Sequence, residues 1–117
     1  MRDQLVIQMD RVYTIQRTPQ GVVCNVNGSP LPLRLDLWNH SPTGFEFGYG
    51  GSGPAQLALA ILADCCGDEL AVKYHQAFKW AVIARIPGPG GSITGTFVRD
   101  LLAKLQAERA AQNCHNN

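Results

Sequence analysis

Residues 53–66 have the sequence GPAQLALAILADCC, a nearly unbroken apolar run behind a glycine and a proline. Proline is well tolerated in the first turn of a helix, because its missing N–H would have had no partner there. A helix that is apolar on all sides belongs in the interior of a protein. The segment therefore predicts a buried central helix from Ala55 to Cys66, and Gly67 is a residue type that commonly follows a helix end.

The chain before this helix is typical of short antiparallel strands. Residues 5–16 alternate in polarity and are rich in β-branched side chains, and valines dominate residues 22–26. The pair Asn27-Gly28 favours a tight hairpin, because both central residues of a type I′ turn need positive φ. Leucines at every second position over residues 33–37 predict a half-buried strand, and residues 45–47 predict a short one.

The sequence after the central helix indicates its secondary structure less clearly. Asp68 is a residue type that caps helices, and it predicts a second helix from Glu69 to about Gln76. Apolar and polar positions alternate over residues 78–86, which favours a strand, while a continued helix is the alternative.

The C-terminal part predicts a loop followed by a last helix. Proline and glycine fill residues 87–91, a composition that breaks regular structure. Thr94 can cap a helix over residues 95–111, and residues 112–117 form a frayed polar tail. The prediction is one α+β domain over residues 1–117, in which an N-terminal antiparallel β-meander packs on the buried central helix. One or two further helices and an additional strand complete it.

Composition limits the classes of function. The 117 residues are 45% hydrophobic and 16% charged, and the formal net charge is +1. This apolar content excludes intrinsic disorder, and the length suits a single domain. The balanced charge argues against direct binding of nucleic acid, which needs clustered basic residues.

Sequence features also favour a compartment. No apolar stretch is long enough to span a membrane, and the first residues lack the pattern of a signal peptide. The four cysteines include the adjacent pair Cys65 and Cys66, and no CxxC motif is present. We therefore expect a cytoplasmic protein with reduced thiols, no membrane contact and no bound metal ion.

A glycine-rich segment, GYGGSGPA at residues 48–55, lies between the last predicted strand and the central helix. Its glycines would let a ligand approach the backbone, and the helix start would present N–H groups and a positive dipole to an anion. The antiparallel context argues against a dinucleotide-binding unit, and no Gly-Lys-Ser/Thr follows, so a P-loop is excluded. The glycines can also be purely architectural, allowing a sharp turn and close packing of the helix.

Gln56 is the one strongly polar residue in the first two turns of the apolar helix, and a buried amide needs hydrogen-bond partners. It can tie down a neighbouring loop backbone, or it can help to read a ligand held by the glycine segment. Tyr49 could stack on such a ligand, and Ser52 could offer its hydroxyl. The predicted ligand- or partner-binding residues are Tyr49, Gly50, Gly51, Ser52, Gly53 and Gln56.

Residues 45–60, FEFGYGGSGPAQLALA, resemble the signature of a small uncharacterised domain family that occurs in phage, prophage and mobile-element gene sets. The chain departs from that signature at Phe47, where the family has Trp. The resemblance assigns no activity. It implies a mobile-element origin and, by association with other short phage proteins, a role against host defence in the bacterial cytoplasm.

Together these features favour a non-enzymatic binding protein that blocks a host protein complex, in the manner of an anti-CRISPR inhibitor. No catalytic residue and no cofactor is predicted. Trp38, Tyr49 and Trp80 are candidate interface residues, although burial in the core is the ordinary expectation for Trp80. The alternative function is binding of a nucleotide or another small anion at the glycine segment, as a signal sponge or a small enzyme. A homo-oligomer is compatible with either function.

Overall fold

The computed structural model describes residues 10–115, and the side chains of residues 10–113. The predicted strand at residues 5–16 therefore lies partly outside the described residues, as do residues 116 and 117 of the predicted tail. A four-stranded antiparallel sheet has the order β3-β2-β1-β4. Its strands are β1 (Val12–Thr18), β2 (Gly21–Val26), β3 (Ser29–Pro30) and β4 (Gly90–Thr94).

Three helices complete the α+β fold, which confirms the predicted class. They are α1 (Ser52–Cys66), α2 (Asp68–Ala81) and α3 (Gly95–His115). Helix α1 is buried continuously from Gly53 to Ala63, as its all-round apolar sequence predicts. One core joins α1 to the inward residues of β1 and β2 and to parts of α2 and α3. In residues 10–115, no helix has the length and apolar character needed to cross a membrane.

The β2–β3 connection follows the predicted turn. Asn27 and Gly28 both have positive φ, at 50° and 87°, as a type I′ hairpin requires. The Asn27 side chain also accepts a hydrogen bond from the backbone N–H of Val12 at 2.8 Å.

The predicted strand at residues 33–37 is wrong, because this segment turns. Arg34 has a φ of 59°, and its carbonyl accepts a hydrogen bond from the Leu37 N–H at 3.0 Å. Its guanidinium binds the carboxylates of Asp36 and Asp68, each at 3.0 Å. Asp68 thus pairs with Arg34 and does not cap α2, whose N-cap is Gly67. The positive φ of Arg34 is incompatible with a regular strand, and the Arg34–Asp68 pair ties this turn to a distant part of the chain.

The predicted strand at residues 45–47 is reduced to a single bridge. Phe45 pairs with Val22 of β2, and the residues on either side of Phe45 make no further ladder. The chain leaves the sheet here to enter the glycine segment.

The strand favoured at residues 78–86 is also wrong. Helix α2 continues to Ala81, and one turn of 3₁₀ helix follows at Ile83–Arg85. The buried positions Tyr74, His75 and Phe78 have the three- and four-residue spacing of one helix face, which extends the helical period past residue 76.

A strand replaces part of the predicted loop at residues 87–91. Strand β4 pairs antiparallel with β1, from Val12 opposite Thr94 to Gln16 opposite Gly90. Helix α3 follows it directly, and the Thr94 hydroxyl accepts the Phe97 N–H at 3.1 Å, as the predicted cap requires.

Candidate functional site

The glycine segment forms an exposed loop that enters α1. Gly48 has a φ of 90°, and its N–H donates to the carbonyl of Ile83 at 3.0 Å, which joins the loop to the end of α2. Gly51 is the N-cap of α1, and no side chain caps the helix there. Ser52 is exposed at the first helical position, whereas Gly53 is buried.

Three of the glycines are closely approached by other residues, and at Gly53 the neighbouring atoms include backbone. A Cβ at Gly50 would overlap the indole of Trp80, and one at Gly51 would overlap the ring of Tyr49. A Cβ at Gly53 would lie 2.6 Å from Cβ of Glu46, so α1 could not pack as closely on that residue. The architectural interpretation of these glycines therefore has direct structural support.

The same packing leaves two aromatic rings on the surface. Trp80 is 58% exposed and Tyr49 is 53% exposed, and both contact the glycine loop. We call the surface formed by Tyr49, Gly50, Gly51 and Trp80 the aromatic platform. Trp80 is thus a surface residue and not a core residue.

Lys79 lies beneath this platform and was not identified from the sequence. Lys79 as a whole is only 7% exposed. Its Nζ lies 3.5 Å from the Gly50 carbonyl oxygen and 4.5 Å from the centre of the Trp80 ring. Within residues 10–113, no carboxylate lies within ion-pair distance of this ammonium group. The signal available in the sequence was the spacing of His75 and Lys79, which places both on the same helix face as buried Tyr74 and Phe78.

Gln56 has a different environment from the rest of the predicted site. It is fully buried, and all four hydrogen-bonding positions of its amide meet the backbone of the loop at residues 33–41. Its Oε1 accepts from the N–H groups of His40 at 2.8 Å and Ser41 at 2.9 Å. Its Nε2 donates to the carbonyls of Leu33 at 2.6 Å and Trp38 at 3.0 Å. The amide therefore holds the loop and has no capacity left for a ligand in this conformation.

Two histidines connect the same loop to α2. Nδ1 of His75 lies 3.0 Å from the carbonyls of Ala71 and Val72, which only accept, so this nitrogen carries a proton. In the neutral ring Nε2 of His75 is then an acceptor, and Nε2 of His40 donates to it across 2.9 Å. Trp38 stacks on the His40 ring with centroids 5.1 Å apart.

This arrangement gives the fold a pH dependence. Burial lowers the pKa of His40 below its ordinary value, and the nearby His75 and Lys79 lower it further. In the unfolded chain a histidine has a pKa of about 6.5, so the unfolded chain binds the proton more readily than the folded protein. The free energy of unfolding is therefore not reduced by this group above about pH 6.5, and it falls as the pH decreases below that value.

We expect the urea midpoint of unfolding to fall between about pH 7.5 and about pH 5, and to fall less in a His40→Gln variant. Glutamine retains a donor for Nε2 of His75 but does not titrate. Urea titrations of both proteins at each pH provide the measurement. An equal decline in the two proteins would show that His40 does not cause it.

The thiols of Cys24 and Cys66 are poor nucleophiles. Burial raises the pKa of Cys24 to about 12, and burial with the adjacent Cys65 raises that of Cys66 to about 12. Both therefore stay protonated near neutral pH. Among the described side chains, no group of three or more His, Cys, Asp or Glu could hold a metal ion. Cys114 and His115 lie outside the described side chains.

Comparison with known proteins places this architecture in a family. A family model described as a family of unknown function, DUF6166, matches residues 13–105. The match covers the sheet, the glycine segment, α1, α2 and the first half of α3. No curated protein and no solved structure matches the chain.

Proposed function

The chain belongs to DUF6166, a family of unknown function, and we propose from its geometry that it is a non-enzymatic binding protein that docks on another protein through the aromatic platform. The observation that supports this most directly is the exposure of two aromatic rings, Tyr49 on the glycine loop and Trp80 on α2, which lie against Gly51 and Gly50 of that loop. Tryptophan and tyrosine are enriched among the residues that contribute most to protein binding.

The support of the platform also suits a contact surface. Its loop leads directly into α1, which is buried from Gly53 to Ala63, and is hydrogen-bonded to the turn after α2. Rings held on such a rigid base lose little conformational entropy on binding, which favours affinity.

The proposed partner is a host protein complex that the chain blocks. This part of the proposal rests on the resemblance of residues 45–60 to phage-associated domains, which is an argument by association and not by contact geometry. The platform is small, so a blocking mode requires it to occupy a functional surface of the partner.

The test compares three tagged proteins in pull-downs from a bacterial lysate: wild type, the double variant Tyr49→Ala with Trp80→Ala, and Phe97→Ala. Phe97 is a matched control, because it is 46% exposed but lies on α3 outside the platform. We expect one protein complex to be retained in defined stoichiometry by wild type and Phe97→Ala, and to be lost by the double variant.

Two outcomes would contradict the proposal. One is a retained set that is identical for all three proteins although each is folded by circular dichroism. The other is retention of a second copy of this chain alone, which would identify the platform as a homo-oligomer interface.

A further inference from the structure

A cleft between α2 and α3 lies outside the glycine loop and shares no residue with the aromatic platform. Its volume is about 490 Å³, within the range of about 300–1,000 Å³ that is typical of small-molecule sites. The lining is partly apolar and partly charged, and includes Lys73, Tyr74 and Ala77 of α2 and Leu105, Glu108 and Arg109 of α3. The cleft is therefore large enough for an organic molecule and not only for an ion.

Tyr74 leaves a polar group without a partner beside this cleft. The residue is only 7% exposed and belongs to the hydrophobic core. Within residues 10–113, its hydroxyl makes no hydrogen bond. The hydroxyl of a buried tyrosine usually has a hydrogen-bond partner, because leaving it unpaired costs free energy. Tyr74 thus lacks an acceptor that a molecule in the cleft can supply.

Two basic side chains lie against the ring of the same tyrosine. Nζ of Lys73 is 5.7 Å from the centre of the Tyr74 ring, and Cζ of Arg109 is 5.5 Å from it. Among the described side chains, no carboxylate lies within ion-pair distance of either cation. Glu108 does not neutralise Arg109, because consecutive residues of a helix do not face each other. Two cations and one carboxylate leave the lining with an excess of positive charge, which favours an anion with a single charge.

We propose that this cleft binds a small carboxylic acid with a hydrophobic body. The guanidinium of Arg109 has the planar geometry that binds both oxygens of a carboxylate, and the ammonium group of Lys73 adds a second positive charge. The Tyr74 hydroxyl donates a hydrogen bond to the same carboxylate. The hydrophobic body contacts Ala77 and Leu105, the apolar side chains of the lining. The site goes beyond the protein contact proposed above and needs no partner protein.

Amide NMR spectra of the full chain test the site, because each shifted resonance reports both affinity and location. The probes are hydrocinnamate, its uncharged amide and acetate. We expect hydrocinnamate to shift the resonances of residues 73–77 and 105–109, and the other two probes to bind at least about tenfold more weakly. The proposal is overturned if hydrocinnamate at about 10 mM causes no saturable shift, or if its uncharged amide binds equally well.

Arg109→Gln tests the contact with the carboxylate. Lys104→Gln is the matched control, because Lys104 is an exposed basic residue of the same helix that does not line the cleft. We expect Arg109→Gln to bind hydrocinnamate at least about tenfold more weakly than wild type, and Lys104→Gln to bind it as wild type does. An equal loss of affinity in the two variants would indicate general charge attraction and would contradict a site in the cleft.

Tyr74→Phe separates binding of a ligand from a structural role of the hydroxyl. Without ligand, we expect the variant to be at least as stable to urea as wild type, because the change removes a buried hydroxyl that has no partner. We expect its affinity for hydrocinnamate to be about fivefold lower. A less stable variant with unchanged affinity would show that the hydroxyl serves the fold alone. None of these results affects the pull-down with the platform variants.

Discussion

Replacement of Gln56 by leucine is expected to remove most of the stability of this domain. Leucine suits the apolar neighbours of α1 in size, so the change creates little empty volume. It deletes all four hydrogen bonds that the amide makes to the loop at residues 33–41. Two N–H groups and two carbonyls of that loop, which face the fully buried position 56, then lose their partner.

The magnitude follows from the number of groups left unpaired. A buried donor or acceptor without a partner costs about 1–3 kcal/mol, so four such groups cost about 4 kcal/mol or more. Small domains have a free energy of unfolding of about 5–15 kcal/mol, so Gln56→Leu should leave the protein barely folded. The loop also carries His40, so the contact with His75 would loosen with it.

Urea unfolding of Gln56→Leu should be compared with that of Gln76→Leu, an exposed glutamine on α2. The control should change the free energy of unfolding by less than about 0.5 kcal/mol. A loss of less than about 1 kcal/mol in Gln56→Leu would mean that water or a rearranged loop satisfies the four backbone groups.

The elements that could be predicted from the sequence are those whose structure depends on residues close together in the chain. The apolar run at residues 53–63 has no polar face, so burial of α1 followed directly. The Asn27-Gly28 hairpin also followed, because its requirement for positive φ is a property of the two residues themselves.

Two of the wrong predictions, at residues 33–37 and residues 87–91, share a different cause. Residues 33–37 turn, and Arg34 in that turn binds the distant Asp68, a pairing that no local pattern contains. Strand β4 contains two glycines and a serine, which have low strand propensity, and it forms because β1 offers a free edge. Pairing between segments far apart in sequence decided both cases.

In the candidate site, too, the features set by local sequence could be predicted and those set by long-range contacts could not. The glycine loop was recognisable because its residues are consecutive. Lys79 and Trp80 join it from α2, 29 and 30 positions after Gly50, and only the fold brings them there. The predicted strand over residues 78–86 also hid Lys79, because it separated this residue from the buried helix face that it shares with His75.

Gly90→Ala is expected to be the second most damaging substitution. Gly90 has a φ of 125°, a conformation that residues with a Cβ rarely adopt. The added Cβ would overlap the carbonyl oxygen of Ile15 and would lie 3.1 Å from Cα of Gln16. Both atoms belong to the backbone of β1, the central strand beside β4, so no side chain can rotate away to make room.

The damage should extend beyond the first residue of β4. At the other end of this strand the N–H of Gly95 donates to the Arg11 carbonyl at 2.7 Å, which positions the start of α3. A shift of β4 away from Ile15 would strain that contact and the core position of Val98. Backbone strain of this kind costs about 1–3 kcal/mol, so we expect a loss of about 3 kcal/mol when the displaced pairing is included.

Gly91→Ala is the matched control, because it changes the next residue of the same strand. A Cβ there meets no atom within 4 Å, and its φ lies outside the left-handed region. Urea unfolding should therefore show a change of less than about 0.5 kcal/mol for Gly91→Ala. If Gly90→Ala were as mild as its neighbour, β4 could not be held against Ile15 as closely as this pairing requires, and the edge of the sheet would be able to move without cost to the core.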